Sequence, residues 1–546
     1  MFRVEERQRK QMPLCNVADT PTSAMVLYYE KFTVRLFMRK TQMNPDLSGC
    51  ASKTKWTNWY SINWKKVRRE VKSLQRRIVK AVEAKHFHKA RVLLFMLARS
   101  FYGKLLAILR VTTNQGSRTC GVDNVLWNTP ARQWKAIQHL SMKGYKAEPL
   151  KRKSIPKKNG KLRHLGIPTM RDRAIQAVFK SGLEPIAETT ADLNSYGFRP
   201  KRSCADAIEQ CHNVLAKGNS AEWVFEADIK GCFDNISHDW VLQHIPLNKK
   251  VLGQWLKSGY IDNKNWFPTD SGTPQGGIIS PTIANMVLDG LEETIYQKAC
   301  PKKSCNGRIY NPLKVHFVRY ADDFIVTCVS RDYLENEIKP LVREFLAERG
   351  LELSEEKSKI THINDGFDFL GFNIRKYHGK CLIKPSTESI KGIYARIREC
   401  ITSNKTVKQD KLIAMITPKV KGWGNFYRHV VSKRTFSILD KKLFLLLWKW
   451  AKRRHPNKST LWIKQHYFIS KGNQNWVFAS TGNSKHIELP RFDAIKITRH
   501  RKIISLSNPY SRKWDNYFAE RESNRLAKLK ISVNKLTKMT GLPTQF

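Results

Sequence analysis

Apolar residues recur at helical spacing between positions 64 and 110, at Val67, Val71, Leu74, Ile78 and Val82 and again over 92–97 and 105–109, with Lys and Arg on the other faces. This predicts two or three basic helices. Residues 1–60 carry no sustained period, so a leader, disordered or an appendage, is expected there. A helix over 131–142 leads into 151–163, where Asn159-Gly160 between Ile155 and Leu162 predicts a hairpin whose two strands are studded with cations. Helices are expected over 171–190 and 203–216, the second capped by Ser203, then a strand over 223–229 ending near Asp228. Further helical patterns cover 238–245 and 250–258. Strands at 315–320 and 324–329 flank Ala321-Asp322-Asp323, which makes a hairpin with acids at its tip. A helix over 334–349 stops at Gly350. After Gly371 the pattern turns helical near 386–402, 408–426 and 435–454, mixing aromatic with basic residues, and a Lys-rich helix is expected near 517–540.

Charge changes this picture. Of 546 residues, 98 are Lys or Arg and 46 Asp or Glu, a net +52, which calls for a large polyanionic partner, nucleic acid first. The excess is uneven: +27 over 1–190, −4 over 191–370 and +29 over 371–546. A slightly acidic centre between two basic arms suits carboxylates that bind metal while the arms grip a backbone. The 11 Cys form no Cys-x-x-Cys pair, so free thiols in a reducing compartment are expected rather than a zinc module. Apolar runs such as 443–448 fall far short of the ~18 residues of a membrane span. A soluble, intracellular protein with no membrane partner is expected, cytoplasmic in a bacterium or organellar.

Asp322 and Asp323 repel each other at a hairpin tip unless a cation lies between them. Taken alone, an Asp-Asp pair is equally an ordinary polar turn. If the strand ending at Asp228 neighbours this hairpin in one antiparallel sheet, three carboxylates converge on one edge. Two divalent ions held there would clamp the attacking and leaving oxygens of an in-line phosphoryl displacement, the chemistry of nucleotidyl transfer.

Tyr320-Ala321-Asp322-Asp323, with Asp228-Ile-Lys-Gly-Cys-Phe233-Asp234 upstream and Gly272-Thr-Pro-Gln275-Gly-Gly-Ile-Ile-Ser-Pro281 between them, resembles the reverse transcriptases in order and spacing. Arg163–Arg173, Ser195-Tyr-Gly-Phe-Arg199, Leu353-Ser-Glu-Glu-Lys357 and Phe367-Asp-Phe-Leu-Gly-Phe372 are similar to the subgroup encoded inside group II introns, and Lys421-Gly-Trp-Gly-Asn-Phe-Tyr-Arg428 to its maturase segment. The likeness covers about residues 60–520. It implies an α+β right-hand polymerase: fingers and palm over 61–372, with an N-terminal extension to 145, an α-helical thumb and maturase domain over 373–460, and a basic DNA-binding extension over 461–546.

The resemblance also implies roles. Asp228, Asp322 and Asp323, with the backbone carbonyl of Ile229, would hold two Mg²⁺, for which Mn²⁺ can substitute. Phe233 would exclude a ribose 2′-OH, Lys157 and Arg163 would hold the triphosphate, and Gln275 would approach the nascent base pair. Lys357 would protonate the leaving pyrophosphate, although a surface Lys paired with Glu355 or Glu356 fits the same pattern. Trp423, Phe426, Tyr427, Arg428, Arg453 and Arg454 would contact RNA, although an amphipathic helix with buried aromatics fits the first four as well. The implied partners are group II intron RNA in a ribonucleoprotein, a DNA target and primer, and dNTPs, and the implied activity is RNA-directed DNA synthesis with help to splicing during retrohoming. Two features depart from the family: His164 stands where relatives usually have Pro, and the Cys-free tail lacks the paired Cys and His of a C-terminal endonuclease, which is expected to be absent. A domesticated enzyme without an intron, a splicing cofactor without polymerase activity and a DNA-templated polymerase are the rival readings.

Overall fold

The computed structural model describes residues 56–156, 160, 162–299, 304–305, 308–309, 311–482 and 485–529. Residues 1–55 of the expected leader and positions 530–540 of the Lys-rich helix lie outside them. All elements below belong to the unit Asn58–Phe546.

Asn63 starts the first helix, Trp64–Glu83, by accepting a hydrogen bond from the Lys66 amide at 2.9 Å, and Val67, Val71, Ile78 and Val82 turn inward. With Phe87–Arg99 and Phe101–Thr113 it packs on the helix Met170–Thr190, which is buried along most of its length. Strands β1 (Leu150–Pro156) and β2 (Leu162–Ile167) form the cationic hairpin as expected, antiparallel through Ser154 opposite His164. The Ser154 hydroxyl lies 2.9 Å from Nδ1 of His164, so the departure at 164 leaves the pairing intact. β3 (Trp223–Asp228) lies in the palm. β4 (Tyr260–Asp262) and β5 (Asn265–Phe267) add a short hairpin to the fingers, where β4 runs parallel to β1.

After a two-stranded ribbon, β6 (Ser304–Cys305) with β7 (Arg308–Ile309), come β8 (His316–Tyr320), β9 (Asp323–Cys328) and β10 (Lys359–His362). The palm is an antiparallel sheet of order β10-β3-β9-β8. The helix expected over 334–349 is interrupted. A wide π turn, Leu334–Ile338, precedes Lys339–Ala347 because Pro340 has no N–H to continue the regular ladder.

A second sheet, β11 (Phe367–Phe369), β12 (Phe372–Tyr377) and β13 (Lys380–Pro385), joins palm to thumb. The thumb helices are Thr387–Ser403, Gln409–Tyr427 and Lys433–Arg454, close to the expected spans. One continuous core runs from Val224, Val318 and Ile325 of the palm through Phe372 and Ile374 to Trp423, Phe436 and Phe492. A division at 372/373 therefore cuts a strand.

The division at 460 is corrected too. Helix Thr460–Tyr467 and the strands β14 (Phe468–Lys471), β15 (Gln474–Gly482) and β16 (Lys485–Glu488) belong to the thumb, where Trp450 packs on Tyr467 and Phe478. Beyond them the chain is a strap laid back over the palm and fingers. At Gly424 a Cβ would stand 2.1 Å from Cδ1 of Ile495, so glycine leaves room for the strap's Ile495 side chain on the thumb helix. Asp206, fully buried, then accepts from His500 Nε2, the Ile503 amide and Arg521, each at 2.8 Å. Tyr510 donates to Glu184 at 2.8 Å, and Asp515, opening the helix Asp515–Leu529, pairs with Lys72 and Arg76. The described part of the segment expected as a DNA-binding extension thus spends several of its cations and its Asp515 on the polymerase core.

Candidate active site

Register brings the three carboxylates together. Asp228 is paired with Asp323 across β3 and β9, and Tyr320 with Asp323 across β8 and β9, which leaves Asp322 in the turn. The turn is tight: Ala321 has φ +60°, a conformation that side chains resist. It is held from two sides. The segment before Gly197 runs beside β8, with the Tyr196 amide donating to the Arg319 carbonyl and the Arg319 amide to that of Asn194, both at 2.9 Å. Gly197 presses on the turn so closely that a Cβ would lie 2.3 Å from the Ala321 nitrogen. Beneath, the fully buried Arg319 pairs with Asp289 and Asp192.

The acids are electrostatically strained. Burial, then Asp322 and Asp228, pushes the Asp323 carboxyl up to about 7, and it shares a hydrogen bond with Asp228. Burial and Asp228 also raise Asp322, which Arg163 and Lys357 partly offset. Lys357 Nζ donates to Asp228 Oδ2 at 2.6 Å, and this bond raises the ammonium above its ordinary value. The expected alternative, a pair with Glu355, is not formed: Glu355 is held by Arg343 at 2.6 Å and by Lys339. Lys357 reaches the site because its loop pairs with the end of β3, the Ser354 amide donating to the Asp228 carbonyl at 2.8 Å and the Lys230 amide to that of Glu352 at 2.9 Å. The Ile229 carbonyl takes no part in either bond.

These acids fit a divalent cation. Crowded carboxylates with raised proton affinity are relieved by a double positive charge between them. Among the described residues no group of three or more His, Cys, Asp or Glu side chains is arranged to enclose a metal ion unaided.

The fingers reach the same edge. Arg163 Nε donates to Gln275 Oε1 at 2.9 Å, and Gln275 Nε2 donates to the Asp234 carboxylate at 2.9 and 3.0 Å. Gly276 (φ +126°) lets this turn touch β2, where a Cβ would meet the Gly166 carbonyl at 2.6 Å. Gln275 thus links Arg163 to the residue beside Phe233, a bridge the spacing of the motifs did not disclose. Phe233 sits half-buried on the short helix Cys232–Asn235, its ring edge-on to Phe198. Lys157 lies outside the described residues.

The thumb motif requires a correction. Trp423 and Tyr427 are 8% and 3% exposed and cannot stack on RNA bases. The Trp423 ring packs on Tyr427, Phe436 and Phe492, and the Tyr427 hydroxyl donates to the Gly371 carbonyl at 3.0 Å, where thumb meets palm. The cause is amphipathicity: their helix turns these two inward. Phe426 is half-exposed against Phe372, and Arg428 lies partly buried at the helix end near Asn425. Arg454 is committed to the Lys405 and Val407 carbonyls and stacked on Trp450, whereas Arg453 is exposed.

An antiparallel sheet with three acids on one edge, a cationic finger hairpin wired to that edge and a helical thumb on the same core define a right-hand polymerase. Family comparisons agree along the chain: a reverse transcriptase (RNA-dependent DNA polymerase) family matches 155–374, its N-terminal domain 59–140, and the group II intron maturase-specific domain 390–468. Protein YkfC of Escherichia coli is 32% identical over 301 residues, 48% of this chain and 78% of that protein. The group II intron-encoded protein LtrA of Lactococcus lactis is 31% identical over 379 residues, 56% of this chain, and the match spans 62% of LtrA. A putative COX1/OXI3 intron 2 protein of Saccharomyces cerevisiae is 28% identical over 50% of this chain and 37% of its own length. The chain belongs to the group II intron reverse transcriptase and maturase family.

Proposed function

We propose that this protein copies RNA into DNA with Mg²⁺ and binds its own group II intron RNA inside the cell, aiding splicing and carrying the copied intron into a DNA target. The observation that supports it best is the convergence of Asp228, Asp322 and Asp323 on one edge, with Arg163 held beside it through Gln275 and Asp234, in a chain that continues directly into a maturase domain.

Asp228, Asp322 and Asp323, with the Ile229 carbonyl, would hold the metal, which when bound activates the primer 3′-hydroxyl and neutralises charge on the phosphate. Arg163 offers its guanidinium fork to the triphosphate, and Lys157 would add a point charge. Phe233 closes the space where a ribose 2′-OH would lie. Lys357 would carry the proton for the departing pyrophosphate, and its bond to Asp228 holds the ammonium at the site. The +29 of residues 371–546 supplies backbone grip for RNA and DNA.

Primer extension on matched RNA and DNA templates tests the polymerase half, and failure to extend on RNA overturns it. Crosslinking in the host followed by sequencing of the bound RNA tests the other half. One long structured RNA containing this reading frame supports the maturase role, and a diffuse mixture of cellular RNAs removes it.

A further inference from the structure

Phe198 carries a contradiction that the fold maintains. It is a bulky side chain with φ +57°, a region that such residues resist, yet it is 51% exposed and so recovers little by burying its ring. The backbone has no freedom to relax. On one side, Gly197 is wedged against the Ala321 turn and its carbonyl accepts from Asn285 Nδ2 at 2.7 Å. On the other, Arg199 is buried in a two-pronged bond to Glu188, 2.8 Å on each arm, and donates to the Ser195 carbonyl at 2.9 Å. Strain kept in place by rigid neighbours beside a reactive centre is strain with a use.

The ring shows where the use lies. It meets Phe233 edge to face, with centroids 6.3 Å apart and planes at 78°, within the range where aromatic pairs attract. The loop that aims Phe198 is the same loop that clamps the Asp322 turn. Position of the metal-binding acids and position of the Phe233 ring are therefore set by one piece of backbone.

We propose that Phe198 is a positioning residue for sugar selection: its ring braces Phe233, so that the space available to the 2′ carbon of the incoming nucleotide is fixed relative to the carboxylates. The proposal rests on Phe233 being the sugar gate. Without the brace, Phe233 can tilt into the room left by the missing ring, and ribonucleotides should enter.

The decisive variant is Phe198→Gly. Glycine adopts this backbone freely, so the variant removes the ring and the strain together and should melt no lower than the parent. Incorporation of dCTP and CTP by the full chain on one RNA template gives the ratio of their kcat/KM values, in which the fraction of active enzyme cancels. The ratio should fall at least ~10-fold in Phe198→Gly, the scale of discrimination that one hydrophobic contact controls, while Phe198→Tyr keeps it. An unchanged ratio in Phe198→Gly overturns the proposal. Phe233→Ala, run in parallel, separates the two readings: relaxed Phe233→Ala with unchanged Phe198→Gly leaves the gate standing and removes the brace, whereas unchanged Phe233→Ala removes the gate. A fall in Phe198→Gly with no fall in Phe233→Ala makes Phe198 itself the gate and also overturns the bracing role.

Discussion

The palm edge and the thumb motif carry the family's signatures in opposite ways. At the palm, Asp322 and Asp323 are raised in proton affinity by burial and by like charge, from Asp322 on Asp323 and from Asp228 on both, so the fold holds together groups that would be more comfortable apart. In the thumb, Trp423 and Tyr427 sit in a well-packed aromatic cluster and anchor the helix to the palm. One signature is a cost that chemistry explains, and the other is a source of stability. Residues of equal prominence in sequence therefore answer to different physics, and substitutions should separate rate from stability.

The largest expected effect breaks that contrast at the palm. Asp322→Asn should lower primer extension by more than ~10³-fold, because a metal ligand is lost, while the melting temperature stays level or rises as like-charge repulsion is relieved. A drop in melting temperature matching the loss of activity would show that the acids stabilise the fold and would dissolve the comparison. In the thumb the reverse is expected. Trp423→Ala should cost about 3–5 kcal/mol in denaturant unfolding, with RNA affinity per folded molecule little changed. Selective loss of RNA affinity at full stability would restore the surface role that burial denies it.

The strap sharpens the contrast at intermediate size. Asp206→Asn should destabilise by about 1–3 kcal/mol, since partners of a buried carboxylate are left poorly matched. Burial pushes the Asp206 carboxyl up, but His500, Ser203 and the Ile503 amide more than offset this and hold it below its ordinary value. Its contribution is therefore fully present above the usual aspartate range and is lost as pH falls through the folded value. Acid unfolding followed by tryptophan fluorescence should show that loss in the parent and not in Asp206→Asn.

The smallest effect divides two neighbouring cations. Arg453→Ala should leave stability within about 0.5 kcal/mol and reduce the salt dependence of RNA binding by about one unit of slope. Arg454→Ala should lower stability and leave the slope alone. Identical behaviour of the pair would mean that the carbonyls around Arg454 do not hold it in solution.

Much of this was legible in the sequence, for reasons the structure makes plain. The palm hairpin could be read because alternating apolar strands around Ala321-Asp322-Asp323 leave few other arrangements, and the helices because their periods are long. The hairpin Tyr260–Phe267 escaped because its two strands are three residues each and partly exposed, too short for any period. The sheet Phe367–Pro385 escaped although its middle strand alternates, because the helical signal beyond it dominated. Trp423 was ambiguous because an aromatic beside lysines reads alike on either face of a helix. Phe198 stood in a quoted motif, but its significance lies in a torsion angle and in Phe233, 35 positions on. The strap was invisible because its partners, Asp206 and Glu184, lie about 300 residues upstream.

That distance has a consequence for synthesis. As the chain leaves the ribosome, the helix Cys204–Leu215 appears with Asp206 capping its start, but the His500, Ile503 and Arg521 donors do not exist until some three hundred residues later. For that interval the carboxylate has its local Ser203 partner alone. The palm and fingers can gather early, yet the clasp on Asp206 is made only when the strap arrives and returns to the helix Cys204–Leu215. A nascent chain stalled before His500 would hold an assembled but unlatched hand.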